Sequence, residues 1–249
     1  MRLQDKVAIV TGGGSGFGEG IVKRFAAEGA KVVVADINEE AAKRVAAEVG
    51  DAARAVRADV SVSDDVKAMV QAAVDAFGRL DIVVNNAGYT HRNRPMLEVD
   101  EETFDRVFAV NVKSIYLSAM HAVPLFRSQG AGGVILNVAS TAGVRPRPGL
   151  SWYNGSKGAA ITLTKAMAVE LAPDRIRVCA LNPVAGETAM LHLFMGEDTP
   201  EKRAQFKATI PLGRLSTPKD IANAALFLCS DEAEFLTGVC MEVDGGRCI

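Results

Sequence analysis

The chain has 249 residues, 49% of them hydrophobic and 23% charged, and its 28 basic and 30 acidic side chains leave a formal net charge of −2. That composition excludes a disordered chain, and mixed charges with no basic stripe or arm exclude the electrostatic footprint of a nucleic-acid binder. No run approaches the roughly 18 apolar residues of a membrane span, so small molecules and further copies of the chain are the expected partners.

The amino terminus, MRLQDKVAIVTGG, enters directly on a strand pattern without the apolar stretch and cleavage site of a signal peptide, and a cytoplasmic location is expected. KVAIVTG, AKVVVADI, ARAVRADV, LDIVVNNAG, GGVILNVAS and IRVCALNP each read as a strand buried on both faces, as parallel strands are. Helical spacing lies between them near 17–28, 38–49, 63–77, 101–127 and 152–172, and a further helix near 217–230 precedes a last strand in GVCMEVDGG. The alternation predicts an α/β fold: a doubly wound parallel sheet of Rossmann type with helices on both faces. No linker or repeat divides the chain, so residues 1–249 read as one domain. The irregular stretch 183–216 contains Pro183, Gly186, Pro200, Pro211 and Gly213. It follows a strand's carboxyl end, and its helical portions suit a lid near 184–212, with a plain surface insertion as the other reading.

Cys179, Cys229, Cys240 and Cys248 lack CxxC or Cys/His ligand spacing, which fits a reduced protein. Three lie in apolar surroundings, while Cys248 beside the carboxyl terminus is a candidate for exposure. His91, His121 and His192 are far apart with no ligand spacing, and no metal is expected.

Thr11-Gly12-Gly13-Gly14-Ser15-Gly16-Phe17-Gly18 falls where the first strand turns into the first helix. Glycines let a backbone approach a diphosphate, and the helix amino terminus offers unpaired N–H groups and positive potential. Glycine also serves ordinary turns; the strand-to-helix placement is what gives the motif weight. Gly12, Ser15, Gly16, Phe17 and Gly18 are therefore candidate cofactor contacts. Asp36 closes the second strand, where a carboxylate accepts from a ribose 2′-hydroxyl and repels a 2′-phosphate; with Ile37 beside it, NAD is expected over NADP. Asp59 and Val60 end the third strand, and Asn86, Ala87 and Gly88 follow the fourth, all on the predicted binding edge. Singly, such residues also make ordinary strand-to-loop turns.

Tyr153 and Lys157 stand at i and i+4 and share a helix face. A free tyrosine has a pKa of about 10, and a nearby ammonium together with an oxidised nicotinamide favours phenolate. Ser140 ends the fifth strand, where its hydroxyl can hold a substrate oxygen. Asn111, inside the 101–127 helix, is placed to bend it and to bind a water leading to Lys157. A Tyr-x-x-x-Lys pair by itself is usually an ordinary surface pair; order and company distinguish this one.

TGGGSGFG, Asp59, NNAG, Asn111, Ser140 and YNGSK together resemble the short-chain dehydrogenase/reductase family over essentially the whole chain. The resemblance implies oxidation of an alcohol or reduction of a carbonyl. Ser140 would orient the substrate, Tyr153 would act as general acid/base, and Lys157 would lower the tyrosine pKa and bind the nicotinamide ribose. Asn111 would hold a proton-relay water, and Pro183 and Thr188 would contact the nicotinamide end. Val184 departs from the family's frequent glycine after this proline. The family also implies a homotetramer, pairing helices 101–127 and 152–172.

Loop basic residues Arg92, Arg94, Arg145, Arg147 and His192 raise recognition of an anionic substrate, against solvated or interfacial arginines. The loops THRNRP, VRPRPGLSWY and GETAML resemble a bacterial branch of the family that includes a 4-(hydroxymethyl)benzenesulfonate dehydrogenase. Sugar or polyol dehydrogenases and 3-oxoacyl carrier-protein reductases share the same catalytic residues. The latter usually prefer NADPH and dock an acidic carrier on basic residues, whereas Asp174 lies near that region here. A nucleotide-sensing protein on the same fold is the reading from a different class; such proteins typically lose the tyrosine or lysine.

Overall fold

The structure is a computed structural model describing residues 1–249. Seven β-branched-rich runs form strands: β1 Val7–Thr11, β2 Lys31–Asp36, β3 Ala53–Arg57, β4 Ile82–Asn85, β5 Gly133–Val138, β6 Ile176–Pro183 and β7 Cys240–Val243. They make one parallel sheet in the order β3-β2-β1-β4-β5-β6-β7. The order reverses at β1–β4, so the crevice beyond their carboxyl ends is where such a sheet binds ligands.

Alternate residues of each strand feed opposite cores, because side chains change face at every position. Ala8, Val10, Val32 and Val34 pack with Ile21, Val22 and Phe25 of α1 (Gly16–Ala27) and Ile221 and Leu226 of α9 (Pro218–Cys229). Val7, Ile9, Val33 and Ala35 pack on the other face with Met69 of α3 (Ser63–Phe77), Phe126 of α5 (Ser114–Gln129) and Leu171 of α6 (Ser151–Leu171). Between β2 and β3 lies α2 (Glu39–Val49), whose start is fixed by the Asn38 side chain accepting from the Ala41 amide. Thr217 and Asp220 form a reciprocal capping box on α9.

The expected 101–127 helix is interrupted. It runs as α4 (Glu101–Phe108), a π-helical turn Ala109–Lys113, then α5, and Asn111 lies in the π turn. The expected local bend therefore takes the form of one wide turn, which re-aims the residues on either side. The segment after β6 carries two short helices, α7 (Leu191–Met195) and α8 (Pro200–Ala208), as the helical spacing predicted. All four cysteines are free thiols, with Cys179 and Cys229 buried and Cys248 half-buried rather than open. No helix is long and apolar enough to cross a membrane.

Gly18 sets how closely α1 approaches the turn after β1. A Cβ there would lie 2.0 Å from the Gly12 carbonyl oxygen and 2.6 Å from Asn86 Nδ2. Gly18→Ala is expected to cost ~2–3 kcal/mol by forcing helix and turn apart; an unchanged urea midpoint would show that the contact is not limiting.

Candidate active site

The binding edge is assembled by short bonds between strand ends. Thr11 Oγ1 accepts from the Asn86 and Ala87 amides, both at 3.0 Å, while Asn86 Nδ2 donates to the Thr11 carbonyl at 2.8 Å and the Gly12 carbonyl at 3.2 Å. The glycine-rich turn and the NNAG turn are thereby one rigid unit. Gly12 and Gly16 have φ of +62° and +54°, conformations that side chains rarely adopt.

Asp36 accepts from the Gly14 amide and the Asn38 amide, each at 2.9 Å, which ties the glycine turn to the end of β2. Arg44 donates to the Gly14 carbonyl at 2.9 Å but pairs with Glu19 and Glu48, both at 2.8 Å. Its charge is thus already matched. Burial works upward on the Asp59 carboxyl, but hydrogen bonds from Ser61 and the charges of Arg106 and Arg57 hold it below its ordinary pKa.

One cavity of about 330 Å³ runs along this edge. Among the candidate residues, Gly12, Ser15, Gly16, Phe17, Asp36, Ile37, Asp59, Val60, Asn86, Ala87, Gly88, Ser140, Tyr153, Lys157, Pro183 and Thr188 all line it. Gly18 does not line it; it acts through packing. The Ser15 side chain makes no cap to α1, which leaves the first-turn N–H groups for a ligand's oxygens. With Asp36 at one end, backbone donors in the middle and an apolar far wall, the cavity fits an extended dinucleotide.

Tyr153 and Lys157 are buried on one face of α6, 6% and 5% exposed. Burial pushes the phenol up to about 12, while the Ser140 side chain at hydrogen-bonding reach and the charge of Arg147 act downward. Burial also pushes the Lys157 ammonium down to about 8. Lys157 Nζ donates to the Val138 carbonyl at 2.8 Å and lies 5.8 Å from the centre of the Tyr153 ring. The downward push on the phenol expected from Lys157 is, in this arrangement, exerted by Ser140 and Arg147.

Asn111 is buried but lies outside the cavity wall. Its Nδ2 donates to the Tyr89 carbonyl and to Ser156 Oγ, and its Oδ1 accepts from the Tyr89 amide, all at 2.9 Å. It clips the loop after β4 to the π turn and to α6. A Cβ on Gly88 would stand 3.6 Å from both Asn111 Oδ1 and Lys157 Nζ, so the two side chains converge on that glycine. Val184, at the position where the resemblance implies glycine, is buried with Leu191, Ile210 and Leu215 and anchors the following segment. Thr188 keeps its place opposite Gly16, 3.3 Å from where a Cβ would be.

Of the five loop basic residues, Arg147 alone lines the cavity. Arg92 donates to the Gly196 carbonyl, Arg94 to Glu98, Arg145 to Arg247, and His192 bonds Ala189. Arg106 and Val110, which no sequence motif marks, also line the cavity, together with Met190 and Phe194 from the segment expected to form a lid. Arg106 stacks 4.8 Å from the Tyr89 ring centre, and Phe194 lies 5.3 Å from that of Tyr153. Arg106 and Val110 stand at i and i+4, a shared-face signal readable in the sequence.

A family model described as enoyl-(acyl carrier protein) reductase matches residues 12–247. A 4-formylbenzenesulfonate dehydrogenase of Comamonas testosteroni is 55% identical, over 99% of each chain. A 3beta-hydroxysteroid dehydrogenase of Eggerthella lenta is 40% identical, over 98% of this chain and 95% of that one. Among solved structures, a 3-ketoacyl-(acyl-carrier-protein) reductase of Brucella melitensis complexed with NADH superposes with a TM-score of 0.94 at 53% identity, covering 99% of this chain and 100% of that one.

The buried ammonium predicts a pH dependence of stability. Because the folded pKa of Lys157 lies at about 8 against an ordinary 10.5, the unfolded chain binds more protons between those values. Stability contributed through this group therefore rises as pH increases from 8 to 10.5. Lys157→Met is expected to remove that rise and to stabilise the chain at neutral pH, at most on the order of 3 kcal/mol. Parallel pH–stability curves for wild type and mutant would refute the assignment.

Proposed function

The chain belongs to the short-chain dehydrogenase/reductase family, and from that premise we propose that it is an NAD-dependent oxidoreductase interconverting an alcohol and its carbonyl compound. The carrying observation is that Ser140, Tyr153 and Lys157 converge at one end of a cavity whose other end is marked by Asp36.

In this reading Ser140 holds the substrate oxygen and Tyr153 takes the hydroxyl proton during oxidation or returns it during reduction. A bound oxidised NAD would supply the acceptor for a hydride from the carbinol carbon and, before that transfer, a positive charge that favours phenolate. Lys157 would hold the nicotinamide ribose and, with Asn111, would pass the proton outward. The second lone pair of Asn111 Oδ1, beside Gly88, suits a relay water. Pro183 and Thr188 close over the nicotinamide end.

NAD rather than NADP is favoured by the Asp36 carboxylate at the ribose position, by the pairing of Arg44 with Glu19 and Glu48, and by the NADH carried by the Brucella melitensis neighbour. For the substrate we favour an aromatic or anionic alcohol. Phe194 and Met190 furnish an apolar wall, and the Comamonas testosteroni relative is named for an aromatic aldehyde bearing a sulfonate. A second reading, reduction of a carrier-bound 3-oxoacyl group, is favoured by the name of the solved neighbour. Against it, Arg127 is ion-paired with Asp174 at 2.7 Å, which removes a basic contact for an acidic carrier.

We further read residues 1–249 as one domain of a cytoplasmic homotetramer. Tyr116 and Met120 on α5 and Val169 on α6 are 57%, 54% and 80% exposed, an apolar face suited to a second copy.

Initial rates with an alcohol panel are expected to favour NAD over NADP by at least about 100-fold in kcat/KM, the preference collapsing in Asp36→Ala. Tyr153→Phe is expected to lower kcat by roughly 100- to 10,000-fold, the scale of a lost general acid/base. NAD binding without turnover of any alcohol or carbonyl would instead support a sensing protein.

A further inference from the structure

Arg147 is a cation in the cavity wall without an anion. The other lining guanidinium, Arg106, has Asp59 as its counter-charge. The charged or titratable groups acting on Arg147 are Tyr153 and a second cation, Arg247. Burial pushes the Arg147 guanidinium below its ordinary pKa, as expected of a cation short of counter-charge. Its flat face rests on the Phe206 ring, 4.5 Å from the centre, and Phe206 belongs to α8 in the segment that covers the cavity.

The position is also built to be stiff. Pro146 and Pro148 flank Arg147, and a residue before proline is restricted to extended backbone. The Arg147 carbonyl accepts from Asn154 Nδ2 at 2.8 Å, so the loop is tied to α6 one residue beyond Tyr153. A guanidinium that is desolvated and stacked, on a loop of restricted backbone, presents its N–H fork to a planar or trigonal oxyanion. Nothing in the fold requires an unpaired charge there, and leaving one is costly.

We propose that Arg147 is a specificity-determining residue that reads a carboxylate or sulfonate on the substrate, at the end remote from the reacting carbon. The inference rests on the oxidoreductase reading above. Phe194 beside Tyr153 supplies an aromatic wall for a ring joining the two ends. Because Phe206 shares the guanidinium, the substrate's anion is held by a group that also contacts the covering segment.

The competing role for Arg147 is to act only through the phenol it faces. Kinetics with NAD on benzyl alcohol, 4-(hydroxymethyl)benzoate and 4-(hydroxymethyl)benzenesulfonate separate the two. Wild type is expected to prefer the anionic alcohols by about 30- to 100-fold in kcat/KM, the scale of one charge-assisted pair. Arg147→Met should abolish that preference mainly through KM, and Arg147→Lys should restore part of it. No preference in wild type, or an equal loss on neutral and anionic alcohols in Arg147→Met, overturns the proposal. Binding of benzenesulfonate to the NADH-loaded protein is measured alongside. If no alcohol turns over but benzenesulfonate binds wild type and not Arg147→Met, the anion site stands and the oxidoreductase reading falls. If benzenesulfonate does not bind wild type and no anionic alcohol is preferred, the anion site falls on its own.

Discussion

The hydroxyl of Thr11, caught between two backbone amides of the neighbouring turn, is the interaction on which the binding edge depends. Parallel strands align their carboxyl ends but do not fix the turns that leave them. Thr11 and Asn86 make four bonds across the β1–β4 junction, and Gly18 lets α1 close onto the same point. A second polar chain registers the other half of the site. Asn85 donates to Asn137, Asn137 to Thr164, and Thr164 to the Ala160 carbonyl, at 2.9, 2.9 and 2.8 Å and wholly inside the core. That chain pins α6 to the sheet through the Thr164 hydroxyl, eleven residues beyond Tyr153 and seven beyond Lys157 on the same helix, so both inherit their positions from it. Fully satisfied buried networks of this kind favour one arrangement over others.

Electrostatics at the site is set by burial before any partner acts. Desolvation works against the charged form of both Tyr153 and Lys157, raising one pKa to about 12 and lowering the other to about 8. At neutral pH the lysine keeps its proton, held by the Val138 carbonyl, and the phenol keeps its own. Favouring phenolate then falls to Ser140, to Arg147 and to whatever charge a bound cofactor brings. In the proposed role of Tyr153 as general acid/base, a charged form that depends on a filled cavity would couple chemistry to ligand binding without moving the backbone.

Much of this was legible in the sequence, for reasons that differ by residue. The seven strands and the glycine turn announce themselves because β-branched runs and glycine at a strand–helix junction are local signals. The cavity-lining set around Asp36, Asp59 and Asn86 followed from topology, since each ends a strand on the same edge. What escaped depends on contacts between distant segments. Asn111 carried a bend signal, yet its grip on Tyr89 and Ser156 is set by the π turn and by residues 22 and 45 positions away. Gly18 belongs to the glycine motif by spacing but to the helix–turn contact by geometry. Five basic loop residues are equivalent by composition; only folding brings Arg147 inward, while backbone carbonyls claim Arg92, Arg94 and Arg145.

The covering segment shows how a departure from a family pattern is absorbed. Valine at 184 forms, with Leu191, Ile210 and Leu215, a small apolar cluster separate from the two large cores. The Val184 amide still reaches the Val243 carbonyl, so the backbone course survives the added side chain. The two limbs of the segment meet at a bridge between Gly186 and Ser216, and a Cβ on Gly186 would strike the Phe17 ring at 2.3 Å. The segment is therefore clamped where it leaves the sheet and where it crosses the cofactor end, while its remainder rests on few buried side chains. Local opening free energy follows the apolar surface that an opening exposes. Within residues 191–208 Leu191 alone is buried, and the contact between Phe206 and Arg147 ties this stretch to the loop that leads into α6.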